Sequence, residues 1–453
     1  MSAVAAAPLP QGHPFAALRH RGYALFWGSA LVSNTGTWLG NLTVPYVLYQ
    51  ATGSAFWVGL AAAAQFGPAL VLSPLGGLLA DSVDRRVLLL WTQVCLGAAA
   101  LAMWVQWASG LHSPVLLITL LTISGVFNGL NNPAWQSLVN DLVPRQDVIS
   151  AVTLNSLQFN LARALGPALA GVLLATLGAT WAFFLNAVSF SVVVVALLFV
   201  RAHRAVAKPS NRQGFAAQWR EAAVYLASSR PLLLAVALCC LVGMLSNSIF
   251  SMTVVFAETV YHTDAIGLGL LTAALGAGSV LYALAGLLRR RRQPSFARAA
   301  VLGVTALGAG HVLLGSVSAM GWGIAAAVLI GAAFLAAMST FNSVIQLLAP
   351  DALRGRILAV RHMVFSTSVA VGALLAGALT DALGVRTAFL ILGAGLALAA
   401  LILFCFPQAA ALLNRAASPA KPRPQASKGR RKLWNVQGRK RQPKETAGPN
   451  STR

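Results

Sequence analysis

The chain has 453 residues, of which 57% are hydrophobic and 9% are charged, and its mean hydropathy is +0.72. A soluble domain carries about a quarter charged residues, so this composition excludes a soluble globular protein and indicates a protein embedded in a membrane. The formal net charge is nevertheless +23, because 33 Lys and Arg stand against 10 Asp and Glu.

Twelve apolar stretches are long enough to cross a membrane, since a hydrocarbon core about 30 Å thick needs about 20 helical residues. They run from 22 to 50, 55 to 80, 87 to 108, 114 to 138, 148 to 176, 180 to 201, 231 to 258, 265 to 288, 298 to 318, 322 to 348, 357 to 382 and 386 to 407. Such runs are too long for barrel strands, and a helix satisfies its backbone hydrogen bonds internally in lipid. The sequence therefore predicts an all-α membrane protein with twelve transmembrane helices. The first stretch lacks the features of a signal peptide, so we expect it to remain.

The positive charges indicate the orientation, because Lys and Arg that flank helices are retained in the cytoplasm. With a cytoplasmic N-terminus, every Lys and Arg falls in a cytoplasmic segment except Arg163, within predicted helix five, and Arg386, on the outer side. The sequence thus predicts a multi-pass protein of the bacterial inner membrane with both termini in the cytoplasm. The positive charge then attracts anionic lipids, and we expect no nucleic-acid binding.

A polar segment divides the chain into two similar halves. At a constant offset of 206 residues, Gly166 corresponds to Gly372 and Gly171 to Gly377. Two six-helix halves related as parallel repeats are a recognised transporter plan. We expect a cytoplasmic N-terminus at 1–21, a first bundle at 22–201, a cytoplasmic linker at 202–230, a second bundle at 231–407 and a disordered basic tail at 408–453.

The chain lacks the motifs of an ATP-driven pump and of an intramembrane metalloprotease. No Lys is followed by Ser or Thr, as a phosphate-binding P-loop requires, and no HExxH sequence occurs. The cysteines, at 95, 239, 240 and 405, all lie in apolar stretches, where packing is favoured over a soft-metal role for the vicinal pair. We therefore predict a protein that is not an enzyme, uses no cofactor or metal and acts as a monomer.

The end of predicted helix two reads GGLLADSVDRR, which contains Gly77, Asp81, Arg85 and Arg86. Glycine permits close helix approach, and a carboxylate here can meet the N-terminus of a neighbouring helix. The motif resembles the loop-two signature of the major facilitator superfamily, although Ser82 stands where that family often has Arg. We expect Asp81 to close a cytoplasmic gate at the start of predicted helix eleven, near Arg354 and Arg356.

Predicted helix five reads LNSLQFNLARALGPALAG, which contains Asn155, Arg163, Gly166, Pro167 and Gly171. Together with NNPAWQ at 131–136, this segment resembles the branch of the superfamily that includes the enterobactin exporter. The Gly-Pro core also resembles, incompletely, a motif of drug–proton antiporters, which implies protons as the coupling ion. No acid is predicted at the midplane, because Glu258 and Asp381 fall near the outer ends of their helices.

Polar residues within the membrane usually face the bundle interior or a watery cavity. On predicted helices one, four, seven and ten such residues share one helix face, and these helices line the central path in the superfamily. With two residues of helix five, the candidates for a substrate path are Asn34, Trp38, Asn41, Asn128, Asn131, Asn132, Trp135, Gln136, Asn155, Arg163, Asn247, Asn342 and Gln346. The alternative is that the amides bond helix to helix and that Arg163 fixes packing.

The resemblance implies a secondary transporter that exports a small amphiphilic metabolite, such as a siderophore or a drug, by alternating access. An importer of a small organic solute with the same fold is the alternative.

Overall fold

Helices account for all of the regular structure in this computed structural model, within the residues that it describes, which are 15–200, 215–288, 295–350 and 353–414. Among the described residues, eleven segments are long and apolar enough to cross a membrane. The segment that completes the predicted twelve has 32 residues, which is also enough to cross, although several Ser, Thr and Asn residues lower its hydropathy. The prediction of an all-α membrane fold is confirmed.

The helices follow the predicted boundaries within a few residues, but two predicted helices are each divided into two. The first half comprises α1 (Arg21–Thr52), α2 (Ala55–Phe66), α3 (Ala69–Ser82), α4 (Arg85–Ala108), α5 (Pro114–Asp141), α6 (Val148–Thr176) and α7 (Gly178–Phe199). The second half comprises α9 (Arg230–Ser246), α10 (Ile249–Thr259), α11 (Ala265–Leu288), α12 (Phe296–Ser316), α13 (Met320–Leu348), α14 (Arg354–Leu383) and α15 (Val385–Cys405), with α8 (Phe215–Ser228) before it and α16 (Pro407–Asn414) after it.

Within the first half, α1 is anchored to α6 by two side chains that donate to carbonyl oxygens. The hydroxyl of Tyr23 donates to the carbonyl of Ala151, and Nε1 of Trp27 donates to that of Leu154, each at 2.8 Å. A Tyr or Trp whose ring is buried needs such a partner for its polar tip, because an unpaired polar group in an apolar interior is costly. These bonds fix how α1 and α6, which carry several of the path candidates, lie against each other.

The two halves meet through glycines at one end of the bundle, which we call the Gly53 end because α1 ends there. Here α2 packs on α14 and α6 packs on α11. A Cβ atom added at Gly377 of α14 would lie 2.6 Å from the carbonyl oxygen of Ala55, and one at Gly171 of α6 would lie 2.8 Å from Cα of Gly269. Only glycine permits backbones to approach this closely.

The glycines that correspond at the 206-residue offset make corresponding contacts. Gly166 of α6 packs on Trp38 of α1, and its counterpart Gly372 of α14 packs on Met244 of α9, each within its own half. The pair described above, Gly171 and Gly377, instead packs across to the other half. The repeat read from the sequence therefore organises both the contacts within the halves and those between them.

Two parts of the predicted organisation differ in the structure. The predicted linker contains a helix, α8, and the predicted tail begins with another, α16, in which Leu413 is fully buried. The side chain of Asn414 accepts a hydrogen bond of 3.1 Å from the backbone N–H of Ala297, at the start of α12. The buried Leu413 and the hydrogen bond from Asn414 to α12 pack α16 against the bundle. A disordered tail therefore cannot begin at 408. Its remainder from 415 onward and the basic run 289–292 lie outside the described residues.

Candidate substrate site

Arg163 of α6 lies among three aromatic rings that come from both halves of the bundle. Its guanidinium carbon is 4.2 Å from the ring centroid of Phe250, 5.5 Å from that of Trp38 and 5.6 Å from that of Phe334. Trp38 belongs to α1 in the first half, whereas Phe250 and Phe334 belong to α10 and α13 in the second. The arginine therefore lies where the two halves face each other.

Two irregular points of the backbone, one between α9 and α10 and one in α6, position Arg163 and the rings around it. The helix is interrupted between α9 and α10, at Asn247 and Ser248. The backbone forms a tight turn there, in which the N–H of Phe250 donates to the carbonyl of Asn247 at 3.3 Å. In α6, Pro167 has no N–H to offer the carbonyl of Arg163 four residues earlier, which leaves that oxygen without its helical partner. A broken helix such as the α9–α10 pair is typical of the binding sites of transporters.

The charge of Arg163 is only partly compensated by these rings. Cation–π contacts contribute about 0.5 to 2 kcal/mol, against about 2.5 to 3.5 kcal/mol for inserting a cation at the centre of a membrane helix. The rings lie against the guanidinium, but its N–H groups point outward in its plane. Nε is buried and finds no acceptor among the described residues. The site thus keeps donors available for a ligand.

Several of the other candidates bond within the first half, and all of them except Asn131 are partly or fully exposed. Asn131 is only 8% exposed and accepts from Thr92 and Gln93 of α4, so it packs α5 on α4 rather than lining a path. Nε1 of Trp135 donates to Asn155 at 3.3 Å, and Asn41 accepts from a glutamine of α2 at 2.9 Å. The candidates that are partly or fully exposed are Asn34, Trp38, Asn41, Asn128, Asn132, Trp135, Gln136, Asn155, Asn247, Asn342 and Gln346.

The loop-two residues have mainly structural contacts. Arg85 pairs with Asp141, and Nε and Nη2 of Arg86 donate to the carbonyls of Leu197 and Leu198 at 2.6 and 2.7 Å. Gly77 was expected to permit close packing, but a Cβ there would meet nothing within 4 Å. The close approach is made by its neighbour, since a Cβ at Gly76 would lie 2.8 Å from Leu130. The side chain of Asp81 lies outside the described part.

The predicted partners of that gate lie at the start of α14. Arg354 is exposed, and Nη1 of Arg356 lies 3.3 Å from Glu221 on α8. This ion pair is itself exposed, so it contributes little to stability. It nevertheless connects α8 to the start of α14, at the end of the bundle opposite to Gly53. We call this the Asp147 end, because Asp147 precedes α6 there.

Two acids that sequence reasoning placed near the outer ends both join the two halves. Oε1 of Glu258 accepts from Gln50 at 2.7 Å, and Asp381 accepts from Ser54 and from the first N–H groups of α2. The expectation that they lie near the ends of their helices agrees with these contacts. That they form hydrogen bonds to the other half could not be predicted from the sequence of their own helices.

Sequence reasoning missed three residues of the site region. Phe250 lies three residues after Asn247, just past the break between α9 and α10, and Phe334 lies eight residues before Asn342 on α13. Both therefore lie close in the chain to path candidates. Arg361 was counted among the flanking cations, but it lies within α14, where its Nε atom is buried. Aromatic residues close to the path candidates were the signal that would have identified the first two.

The sequence profile of the transmembrane secretion effectors matches residues 12–428. Two similar proteins are the multidrug efflux pump Tap of Mycobacterium tuberculosis, 23% identical over 80% of this chain and 88% of that protein, and the enterobactin exporter EntS of Citrobacter koseri, 27% identical over 58% and 63%. A crystal structure of a POT family transporter in complex with 5-aminolevulinic acid covers 89% of this chain and 99% of its own, with a TM-score of 0.69 and 15% identity. That likeness shows the fold.

Proposed function

Because the chain belongs to the transmembrane secretion effector family of the major facilitator superfamily, we propose that this membrane transporter exports a small amphiphilic metabolite, such as a siderophore or a drug. The observation that carries the proposal is the arginine between the halves, whose buried Nε has no partner among the described residues while aromatic rings from both halves surround it. Such a group offers charge and apolar surface together, which matches an amphiphilic ligand.

The proposed mechanism is alternating access in the bacterial inner membrane, with protons as the coupling ion. Among the described residues, Arg386 is the one cation at the Gly53 end, and the positive-inside rule therefore favours a cytoplasmic Asp147 end. The glycine contacts close the Gly53 end, so this state would admit substrate from the cytoplasm. Asp81, Arg354 and Arg356 would then close the opposite end in the next state, after ligand and proton binding shift the populations.

Deleting the gene and comparing metabolites in cells and medium by mass spectrometry tests export. At least one small metabolite should accumulate in the cells of the deletion strain and fall in its medium, and re-expression of the wild-type gene should restore the distribution. An importer would give the opposite change, with the solute left in the medium. No redistribution in either direction would contradict the proposed transport.

A further inference from the structure

A second arginine lies inside the bundle on the half opposite to Arg163. Arg361 follows the first residue of α14 by seven positions, so it lies about 10 Å into that helix. Its guanidinium lies beside the thiol of Cys239 on α9, and its Nε atom is buried without a hydrogen-bond partner among the described residues. Each half therefore contributes one arginine with an unused buried donor.

No carboxylate in the described part of the chain neutralises either arginine, because the acids there have other partners. Asp141 pairs with Arg85, Glu221 pairs with Arg356, and Asp147 pairs with His20. Asp84 and Asp264 cap α4 and α11, and the other two acids with described side chains, Glu258 and Asp381, join the halves at the Gly53 end. A cation without a counter-ion inside the bundle attracts an anion, so an anionic ligand from outside the protein would be stabilised here.

The stretch of α14 around Arg361 is only partly covered by other helices. Every residue from 358 to 365 is partly exposed, although the same helix is buried against α2 and α9 further along, at Ala373 and Ala376. In α6, Asn160, Leu161 and Arg163 itself are also partly exposed, whereas Ala162 is buried. Both arginines thus lie on partly exposed stretches of their helices, which leaves them accessible to a ligand.

The two arginines lie at different depths. Both α6 and α14 begin at the Asp147 end, and Arg163 follows the first residue of α6 by fifteen positions, or about 22 Å. The two Cα positions thus differ in depth by about 12 Å. One carboxylate matches this separation less well than an extended molecule with an acidic group at each end.

From these observations we infer that the substrate is an extended organic anion with at least two acidic groups, held by Arg163 at the deep end and by Arg361 nearer the Asp147 end. The inference rests on the proposed export function and specifies its substrate class. Guanidinium groups bind carboxylates through two parallel N–H donors, so both positions favour Arg over Lys. A ligand bound to arginines of both halves also links binding to their relative movement.

The test uses the deletion strain described above, complemented with the wild-type chain or with Arg163→Gln, Arg361→Gln, Arg163→Lys or Arg361→Lys. Arg220→Gln on the exposed face of α8 is the matched control. The metabolites retained by the deletion strain are identified, and their export is measured in each strain. Abundance in the membrane and thermal unfolding of each purified full-length variant show whether it folds.

The retained metabolites should carry two or more acidic groups, and either Gln variant should lower their export by about tenfold or more, as loss of a charge-assisted hydrogen bond predicts. The Lys variants should retain part of the export, and the control should match wild type. Export of only neutral or cationic metabolites would overturn the inference while leaving export intact, as would wild-type export by a folded Arg361→Gln variant. If no metabolite redistributes, the proposed function fails, and this inference fails with it.

Discussion

Asp381 of α14 caps the N-terminus of α2, where its Oδ1 accepts a hydrogen bond of 2.7 Å from the backbone N–H of Ala55. Its Oδ2 accepts from the hydroxyl of Ser54 at 2.6 Å and from the N–H of Phe56 at 3.1 Å. The first N–H groups of a helix have no partner within the helix, and its dipole favours a negative charge there. A side chain of the second half therefore completes a helix of the first.

Replacing Asp381 by Asn should weaken this connection between the halves. The amide keeps one oxygen that can accept, but it has no charge, and its NH2 group would face backbone N–H groups that also donate. Loss of a negative charge at a helix N-terminus costs about 0.3 to 1 kcal/mol, so the Gly53 end should open more often. Hydrogen exchange at the amides of Ala55 and Phe56 should become faster. Asp264→Asn is the matched control, since Asp264 caps α11 within its own half. Unchanged exchange at both amides would show that the cap does not hold the halves together.

Replacing Asp81 by Asn should reduce transport while leaving protein abundance in the membrane unchanged, because the proposed cytoplasmic gate needs the carboxylate. Transport is measured with the metabolite identified by the deletion strain. Asp84→Asn is a suitable control, since Asp84 accepts from the N–H groups of Arg86 and Val87 as an N-cap and Asn caps equally well. If Asp81→Asn transports at the wild-type rate, the gate does not depend on this residue.

Replacing Phe250 by Leu should destabilise the protein by about 1 to 2 kcal/mol, because the arginine loses its nearest ring. Thermal unfolding in detergent measures the effect. Phe334→Leu should cost less, since its ring is 5.6 Å rather than 4.2 Å from the guanidinium carbon of Arg163. When Arg163 is already replaced by Gln, Phe250→Leu should lower the stability by less than it does in the wild-type protein. If the two substitutions instead destabilise the protein additively, the cation–π contact is not the cause of the effect.

Replacing Gly171 by Leu should prevent closure of the Gly53 end, because a Cβ there would lie 2.7 Å from the carbonyl oxygen of Ala265 in the other half. A cysteine pair introduced at Gln50 and Glu258, which are hydrogen-bonded at 2.7 Å, reports closure by its cross-linking yield. The yield should fall in the variant. Gly77→Leu, where no atom lies within 4 Å, should leave it unchanged. Equal yields in both variants would contradict the role of the glycine.

Truncation after Asn414 should leave a folded and transport-competent protein, because the basic segment beyond it has too little apolar content to pack. Truncation after Phe406 is the informative comparison, since it also removes α16 with the buried Leu413 and the cap on Ala297. Only the second truncation should lower the unfolding temperature. Loss of transport after the first, in a protein that still inserts, would show that the basic segment has a function.

The fold could be predicted because the length of an apolar run and the charges beside it can be read from a short stretch of sequence. Contacts between the halves depend on residues far apart in the chain and cannot be read in this way. The length of the apolar runs fixed the helices, and the 206-residue offset identified Gly171 and Gly377 before their partners were known. Nothing in the sequence around Asp381 indicates that it bonds Ala55, because this pairing depends on how two distant helices meet. Arg361 was misplaced for a related reason, since a cation near a helix end is a flanking residue in most membrane proteins.

The glycine contacts at the Gly53 end affect the side-chain entropy of the interface between the halves. Immobilising a long side chain at an interface costs up to about 2 kcal/mol of conformational entropy, whereas glycine has no side chain to immobilise. At Gly171 and Gly269 the backbones themselves touch. In the proposed alternating-access cycle, this part of the interface would therefore form and separate without a repeated cost in side-chain entropy.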